Sequence, residues 1–438
     1  MARKFKYWAK KGVPSPPPTP VFGNILPMFT LKMNMGQCYR EIYRAFPGRD
    51  YVGMYSFTIP QVLIRSPQLV EKVLIKDFAN FVDHGFDVDE ERNWIDLSLF
   101  NLTGNKWRAV RNKMTPTFTS GKLKGMMEQM VVCGDHLVSY IRQRVGQDVD
   151  FTEMMIAYST EVVGSCAFGL DVTDWEKTKE FRRMGQKVLK MNIPRYLGFL
   201  CMFNLPWLGR ALRARFTPTD VAKYFTDIIL NNFEDRKRRG YLRNDFVQLL
   251  IQLREKGSVE IATKDPDDDY LSVTDSKGVQ SFEFTDKMLV AQSFTFVMAG
   301  FDAMSSSLLF TALELARHPE VQEKARAEVK QILAKHGEFT YQAVREMTYL
   351  DQCINESFRL HPLVDVVFRL CTKEYTMDDG VVIDVGTKVI VPVLALHKDP
   401  EYFPEPELFK PERFDPTKNT IPPCTFLPFG AGPRMCIG

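Results

Sequence analysis

Apolar positions alternate between two periodicities along the chain, and these predict its elements. From Tyr51 to Arg65 (YVGMYSFTIPQVLIR), β-favouring residues form two runs split by Pro60, which predicts a hairpin. Pro67 to Asp77 follows, with proline at a helix start and Leu69, Val70, Val73 and Leu74 at helical spacing. The pattern is helical from Leu123 to about Leu253. Ser120 is the expected cap of a helix through Val145, and Val221–Arg239 is a second amphipathic helix whose basic end, Arg236 to Arg239, suits a helix carboxyl terminus. Thr285 to Ala316 reads as one helix, roughly 48 Å long at about 1.5 Å per residue. Its nearly continuous apolar surface predicts the central element of a large core. His318-Pro319 ends it. Helices are expected at Val321–His336 and Thr348–Leu360, and strands at Val381–Ile383 and Lys388–Val393. Asp265 to Asp269 (DPDDD) predicts a polar inserted loop rather than a domain boundary. The expected fold is mainly α with small β-sheets near the start and end, in one large domain, without internal repeats.

Composition narrows the class. The chain has 438 residues, 45% of them hydrophobic and 25% charged, a balance that excludes wholesale disorder. A net charge of +3 is too mild for a nucleic-acid binder. Eight scattered cysteines with no C-x-x-C pair exclude a zinc ribbon and a secreted disulfide scaffold, and read as reduced thiols facing the cytosol. No run of about 18 uncharged apolar residues predicts a spanning helix.

Met1 to Lys11 carries Arg3, Lys4, Lys6, Lys10 and Lys11 without an acid, and Pro14 to Pro20 (PSPPPTP) follows. Such a basic, proline-rich segment sits on the cytoplasmic side of a membrane anchor, or else forms a solvated tail. Residues 1–20 are read as this hinge after a missing anchor. Residues 21–438 are read as one catalytic domain that stops just after Cys436.

The carboxyl-terminal run Phe429-Gly-Ala-Gly-Pro-Arg-Met-Cys-Ile-Gly438 carries the strongest chemical signal. Its glycines permit tight turns and close approach to a flat group. Arg434 two residues before Cys436, together with backbone N–H groups, favours a thiolate, and a thiolate held in such a turn is an axial ligand for iron. The run resembles the haem-binding loop F-G-x-G-x-R-x-C-x-G of the cytochrome P-450 superfamily of haem-thiolate monooxygenases. Further motifs appear in the same order as in that family. Glu356-Ser-Phe-Arg359 resembles its E-x-x-R helix, where a spacing of three lets acid and base pair. Pro411-Glu-Arg-Phe414 resembles the segment whose arginine, here Arg413, completes that network. Trp107-Arg-Ala-Val-Arg111 resembles the W-R-x-x-R helix.

The resemblance covers essentially the whole chain. It implies a triangular helical prism with a long central helix over haem b, Cys436 as the iron's thiolate ligand, and Trp107, Arg111, Arg369 and Arg434 as partners of the haem propionates, with Phe429 and Gly430 in the haem loop. In the long helix, Ala299-Gly-Phe-Asp302-Ala303-Met-Ser305 follows the family pattern [AG]-G-x-[DE]-T-[TS] through Asp302. Ala303 then stands where threonine is usual. Asp302 would organise proton delivery. With Ala303 a water or substrate hydroxyl substitutes, oxygen activation leaks, or the enzyme rearranges substrate without oxygen; the first is preferred. Ser305, about 200° further round the helix, does not simply replace the threonine.

Matching positions place a lipophilic substrate pocket at Phe86, Leu97, Phe100, Phe294, Val297, Met298, Ala299, Ala303, Val364, Val366 and Val367, with core packing as the alternative for each. Phe199–Phe203 and Leu205–Leu208 form an apolar patch that dips into a bilayer or closes a loop core. The implied activity inserts one atom of dioxygen into lipophilic xenobiotics, as in the microsomal, insect detoxifying branch. Electrons would come from NADPH through a separate NADPH–cytochrome reductase, or cytochrome b5, because no G-x-G-x-x-G fingerprint is present. Lys106, Arg108 and Lys113 are the expected docking charges. The expected location is the cytoplasmic face of the endoplasmic reticulum, as a monomer. The alternatives are a haem-thiolate isomerase or dehydratase, favoured only by Ala303, and a non-catalytic haem-binding protein. Because the family's helix after the cysteine is absent, the 438-residue chain is expected to bind haem poorly.

Overall fold

The computed structural model describes residues 4–86, 88–168, 178–240, 246–256 and 285–438; the acidic loop predicted at 265–269 lies outside the described residues. The chain divides into two compact units. The first comprises residues 1–87, 197–213 and 351–436, and the second 88–196, 214–350 and 437–438.

The first unit holds both sheets. β1 (Tyr51–Ser56) and β2 (Ile59–Ile64) form the predicted hairpin, with Tyr55 opposite Pro60. β3 (Val367–Leu370), β4 (Tyr375–Thr376), β5 (Val382–Ile383) and β6 (Lys388–Val391) follow the helix Thr348–Leu360 in the carboxyl-terminal part of the chain. The larger sheet runs β1-β2-β6-β3: β6 lies parallel to β2 and antiparallel to β3, with Arg369 opposite Val389. Val62, Leu63 and Ile64 in β2 and Val389, Ile390 and Val391 in β6 are fully buried, as unbroken apolar runs require when both faces of a sheet are covered. β6 ends two residues earlier than predicted, because Pro392 has no N–H for the ladder and opens the short helix Val393–His397 instead.

The basic amino terminus is not a solvated tail. Trp8 is fully buried, its indole N–H donates to the Met54 carbonyl at 3.0 Å, and Lys11 pairs with Asp384 at 2.9 Å.

The second unit is helical. Its long helix spans Asp286–Arg317, and the Thr285 side chain caps it by accepting the Met288 amide. The helix is long and apolar enough to cross a bilayer by length and composition. Its first turns, Met288 to Phe294, are buried within the unit, and the helix packs with the helix Phe151–Val163, where Val163 lies against Gly300. The helix predicted from Ser120 to Val145 stops at Arg142. Its cap position is Thr119, and Val145 is 79% exposed, so no packing extends the helix. The helix Thr219–Arg239 ends on Gly240 in the left-handed conformation, with the predicted basic residues in its last turn.

Candidate active site

In the first unit, the helix Thr348–Leu360 presents Glu356 and Arg359 one turn apart, both fully buried. Arg359 makes a two-pronged contact with the carboxylate, Nε to Oε2 at 2.7 Å and Nη2 to Oε1 at 2.8 Å. Its remaining N–H groups donate to the carbonyls of His397, Pro406 and Leu408. Every guanidinium donor is thereby used. Glu356 also accepts the Lys410 amide at 2.9 Å and Arg413 Nε at 3.2 Å. One buried acid thus ties the helix to residues 405–413. His397 closes the assembly: its carbonyl takes Arg359, and its Nε2 accepts the Leu427 amide at 2.8 Å, just ahead of the glycine-rich loop. Burial and then the neighbouring Arg359 push the His397 imidazole down to about 3, so it is neutral.

The loop itself is shaped by two glycines at positive φ, Gly430 at 74° and Gly432 at 70°. A Cβ on Gly432 would sit 1.9 Å from the Leu74 carbonyl oxygen, so only glycine fits. The Cys436 amide donates to the Phe429 carbonyl at 2.9 Å, closing the turn. Cys436 is the only exposed cysteine of the eight. Burial raises the Cys38, Cys133 and Cys371 thiols to about 11, 12 and 11, which keeps them inert. The Phe429 ring packs edge-on against Phe358 at 5.5 Å.

Two arginines flank this loop within the first unit. Arg434 Nε donates to the Val82 carbonyl at 2.9 Å, and its Nη2 lies 3.3 Å from Asp83. Arg369, on β3, is 1% exposed. Its Nη1 donates to the Phe368 carbonyl and lies 3.1 Å from His84 Nδ1, while its Nε has no hydrogen-bond partner. Burial alone lowers its guanidinium to about 9. His84 is buried beside both arginines, and burial followed by their charges holds its imidazole well below its usual range. Sequence reading missed His84; only the Asp83–Leu370 bridge that joins distant segments brings it here.

A buried guanidinium with an orphaned N–H and no carboxylate is costly, and an incoming carboxylate would satisfy it. An exposed thiol in a glycine-shaped turn beside such arginines fits an iron porphyrin, which carries two carboxylates and needs an axial ligand.

The remaining predicted residues are distributed as follows. In the second unit, Trp107 and Arg111 lie one turn apart on the helix Gly104–Met114, 1% and 6% exposed. Asp302 opens on a cavity of about 230 Å³ with Thr152, Gln186, Lys190 and Ser306. Burial raises its carboxyl while a hydrogen bond from Ser306 lowers it, with burial the stronger. Ser305 is turned back onto the helix, donating to the Phe301 and Asp302 carbonyls. Val297 and Phe294 are buried, Phe294 against Phe225, and Phe100 is exposed. Leu97 is held by Gln292, whose amide donates to the Leu97 carbonyl at 3.0 Å and accepts the Leu99 amide at 2.9 Å. In the first unit, Val366 is buried and Val364 exposed, and Phe86 packs against Phe203 at 4.9 Å. The apolar patch divides: Leu200 and Phe203 are buried, and Trp207 is exposed.

The comparisons with known proteins agree with this geometry. The cytochrome P450 family model matches residues 13–438. The chain is 35% identical to the protein named cytochrome P450 6a2 of Drosophila melanogaster over 448 residues, covering 100% of this chain and 86% of the relative. It is 35% identical over 442 residues to the probable cytochrome P450 6d5 of the same fly, covering 99% and 85%. With cytochrome P450 6k1 of Blattella germanica it shares 34% over 444 residues, covering 100% and 84%. A family match across nearly the entire chain, with likeness to these insect proteins along its whole length, establishes that the chain belongs to the cytochrome P450 family and is a haem-thiolate monooxygenase of its insect branch.

Proposed function

We propose that this monooxygenase hydroxylates lipophilic xenobiotics, plant toxins and insecticides among them, on the cytoplasmic face of the endoplasmic reticulum. In this reading residues 21–438 form one catalytic domain behind the hinge of residues 1–20. When bound, haem would supply the activation of dioxygen, with its iron held by a cysteine thiolate. Cys436 holds the iron. Trp107, Arg111, Arg369 and Arg434 anchor the haem carboxylates, and Phe429 and Gly430 shape the loop that carries the thiolate. Asp302 takes up protons from the cavity it opens on and passes them inward. With Ala303 offering no hydroxyl, and Ser305 turned onto its own helix, a water or a substrate hydroxyl completes the relay.

Apolar side chains at Phe86, Leu97, Phe100, Phe294, Val297, Met298, Ala299, Val364, Val366 and Val367 line the pocket and select lipophilic substrates. Trp207, 68% exposed, contacts the membrane surface from the apolar patch. Electrons arrive from NADPH through a reductase, with cytochrome b5 as a second donor, docking at Lys106, Arg108 and Lys113. Lys106 already shares its charge with Glu90 at 2.9 Å, so its share of the attraction is the smaller for it.

The observation that carries this reading is the single exposed cysteine in its glycine-shaped loop. The test is reconstitution with NADPH, reductase and a panel of lipophilic substrates. Hydroxylated product formed with consumption of NADPH and dioxygen supports the reading. Rearranged product without either would favour the isomerase that Ala303 keeps in play.

A further inference from the structure

The helix Ser120–Arg142 buries one side against its own unit, where Met126 and Cys133 pack with Val162 and Cys166. A second, narrower apolar stripe runs along its flank. Met127, Val131, Gly134, Val138 and Ile141 recur at alternating spacings of four and three, and Val145 continues the rhythm in the turn after the helix. That is the spacing of a coiled-coil seam, with valine, a β-branched residue, at every second position. Its carboxyl-terminal half is open to solvent: Val138 is 43% exposed, Ile141 39% and Val145 79%.

Gly134 sits in the middle of this helix, where glycine costs about 0.5–1 kcal/mol relative to alanine. Its own chain does not require it, since a Cβ there would meet no atom within 4 Å. In a seam, a glycine lets a second helix approach closely. The charges beside the stripe select that helix. Glu128, Asp135 and Arg142 follow one another every seven residues along one edge, all exposed. Among the described residues neither Glu128 nor Arg142 joins an ion pair within the chain. When the helix is laid antiparallel on its own copy about a two-fold axis near Asp135, Glu128 faces Arg142 of the second copy at both ends. The same register sets Val131 beside Ile141 and Gly134 beside Val138 of the second copy. Asp135 meets its own copy at the axis, a like-charge contact that keeps the association moderate.

We propose that this chain self-associates as a two-fold dimer through the helix Ser120–Arg142, paired antiparallel along the stripe from Met127 to Val145 and locked in register by Glu128–Arg142 pairs. A concentration-dependent dimer thus replaces the monomer expected from the sequence. The contact uses the same surface on both copies, so it closes on itself and stops at two.

The test is sedimentation equilibrium of the haem-loaded protein from about 1 to about 100 μM, the range in which a moderate contact titrates. The wild type is expected to pass from its 50.5 kDa chain mass towards twice that value. Val138→Glu and Gly134→Leu should each weaken association about tenfold or more. Both positions are open in the single chain, so the unfolding midpoint measured alongside should show that each variant still folds. Glu128→Arg should weaken the dimer several-fold, and Glu128→Arg combined with Arg142→Glu, which restores the pairs with reversed signs, should recover it. Trp207→Ser, on the separate apolar patch, should leave it intact. A monomer over the whole range, a dimer indifferent to Val138→Glu or lost with Trp207→Ser instead, or a double variant no tighter than the single one would overturn the proposal. If the chain is monomeric and Val138→Glu weakens its binding to phosphatidylcholine vesicles, the stripe faces lipid and the proposal fails.

Discussion

Glu356 satisfies three partners at once: Arg359, Arg413 and the Lys410 amide. Replacing it with glutamine keeps the shape but leaves a fully buried guanidinium without its counter-charge, and should cost about 3–5 kcal/mol of stability. Arg413→Met removes the longer, outer contact and should cost clearly less; thermal or denaturant unfolding of the two variants measures the difference. His397 makes a separate prediction. Its imidazole is held at about 3 in the folded chain against an ordinary value of about 6.5. Between those values the unfolded chain binds the extra proton, so stability falls as pH drops through this window. His397→Gln, which can still accept the Leu427 amide, should flatten the pH dependence of the unfolding midpoint between those limits; an unchanged slope would assign the acid lability to other groups. The Glu356–Arg359 pair was legible in the sequence because a spacing of three fixes a helical face. The isolation of Arg369 and the presence of His84 beside it were not legible, since both follow from a strand pairing between segments almost three hundred residues apart.

Elements with strong local signals matched their sequence reading closely. The long helix begins at its threonine cap and ends at His318-Pro319, and the β1–β2 hairpin forms, although it turns at Phe57-Thr58 and Pro60 lies inside β2 rather than between the runs. Elements decided by tertiary contact did not: the helix from Ser120 frays before Val145, and the basic amino terminus is pinned by Trp8 rather than left in solvent. The cysteine loop is an element whose conformation admits one residue at its tightest point. Gly432→Ala meets both the left-handed backbone and the Leu74 carbonyl, and should sharply reduce haem retention, read as the ratio of haem absorbance to protein absorbance. Gln292 clamps residues 97–99 to the long helix with two hydrogen bonds. Gln292→Leu removes both hydrogen bonds, a loss of about 1–3 kcal/mol, and should speed hydrogen exchange of the Leu99 amide. Unaltered exchange there would show that the clamp is redundant.

For the whole molecule, the residues singled out by the motifs are distributed over two compact units: Cys436, Arg369 and Arg434 in one, Trp107, Arg111 and Asp302 in the other. Family motifs made this set legible, whereas pocket positions, whose side chains are equally suited to core packing, were not distinguishable by sequence. Ala303 bears on the whole catalytic cycle. If water or substrate replaces the missing hydroxyl, Ala303→Thr leaves the product formed per NADPH consumed unchanged, and a clear rise would show instead that the native site leaks. The most direct measurement of the central claim, that the Cys436 sulfur is the thiolate ligand of a haem iron, is the spectrum of the reduced carbon-monoxide complex of the protein and its Cys436→Ser variant. The account predicts the red-shifted Soret band of a thiolate-ligated haem in the first and its absence in the second; the same band surviving in Cys436→Ser would contradict it.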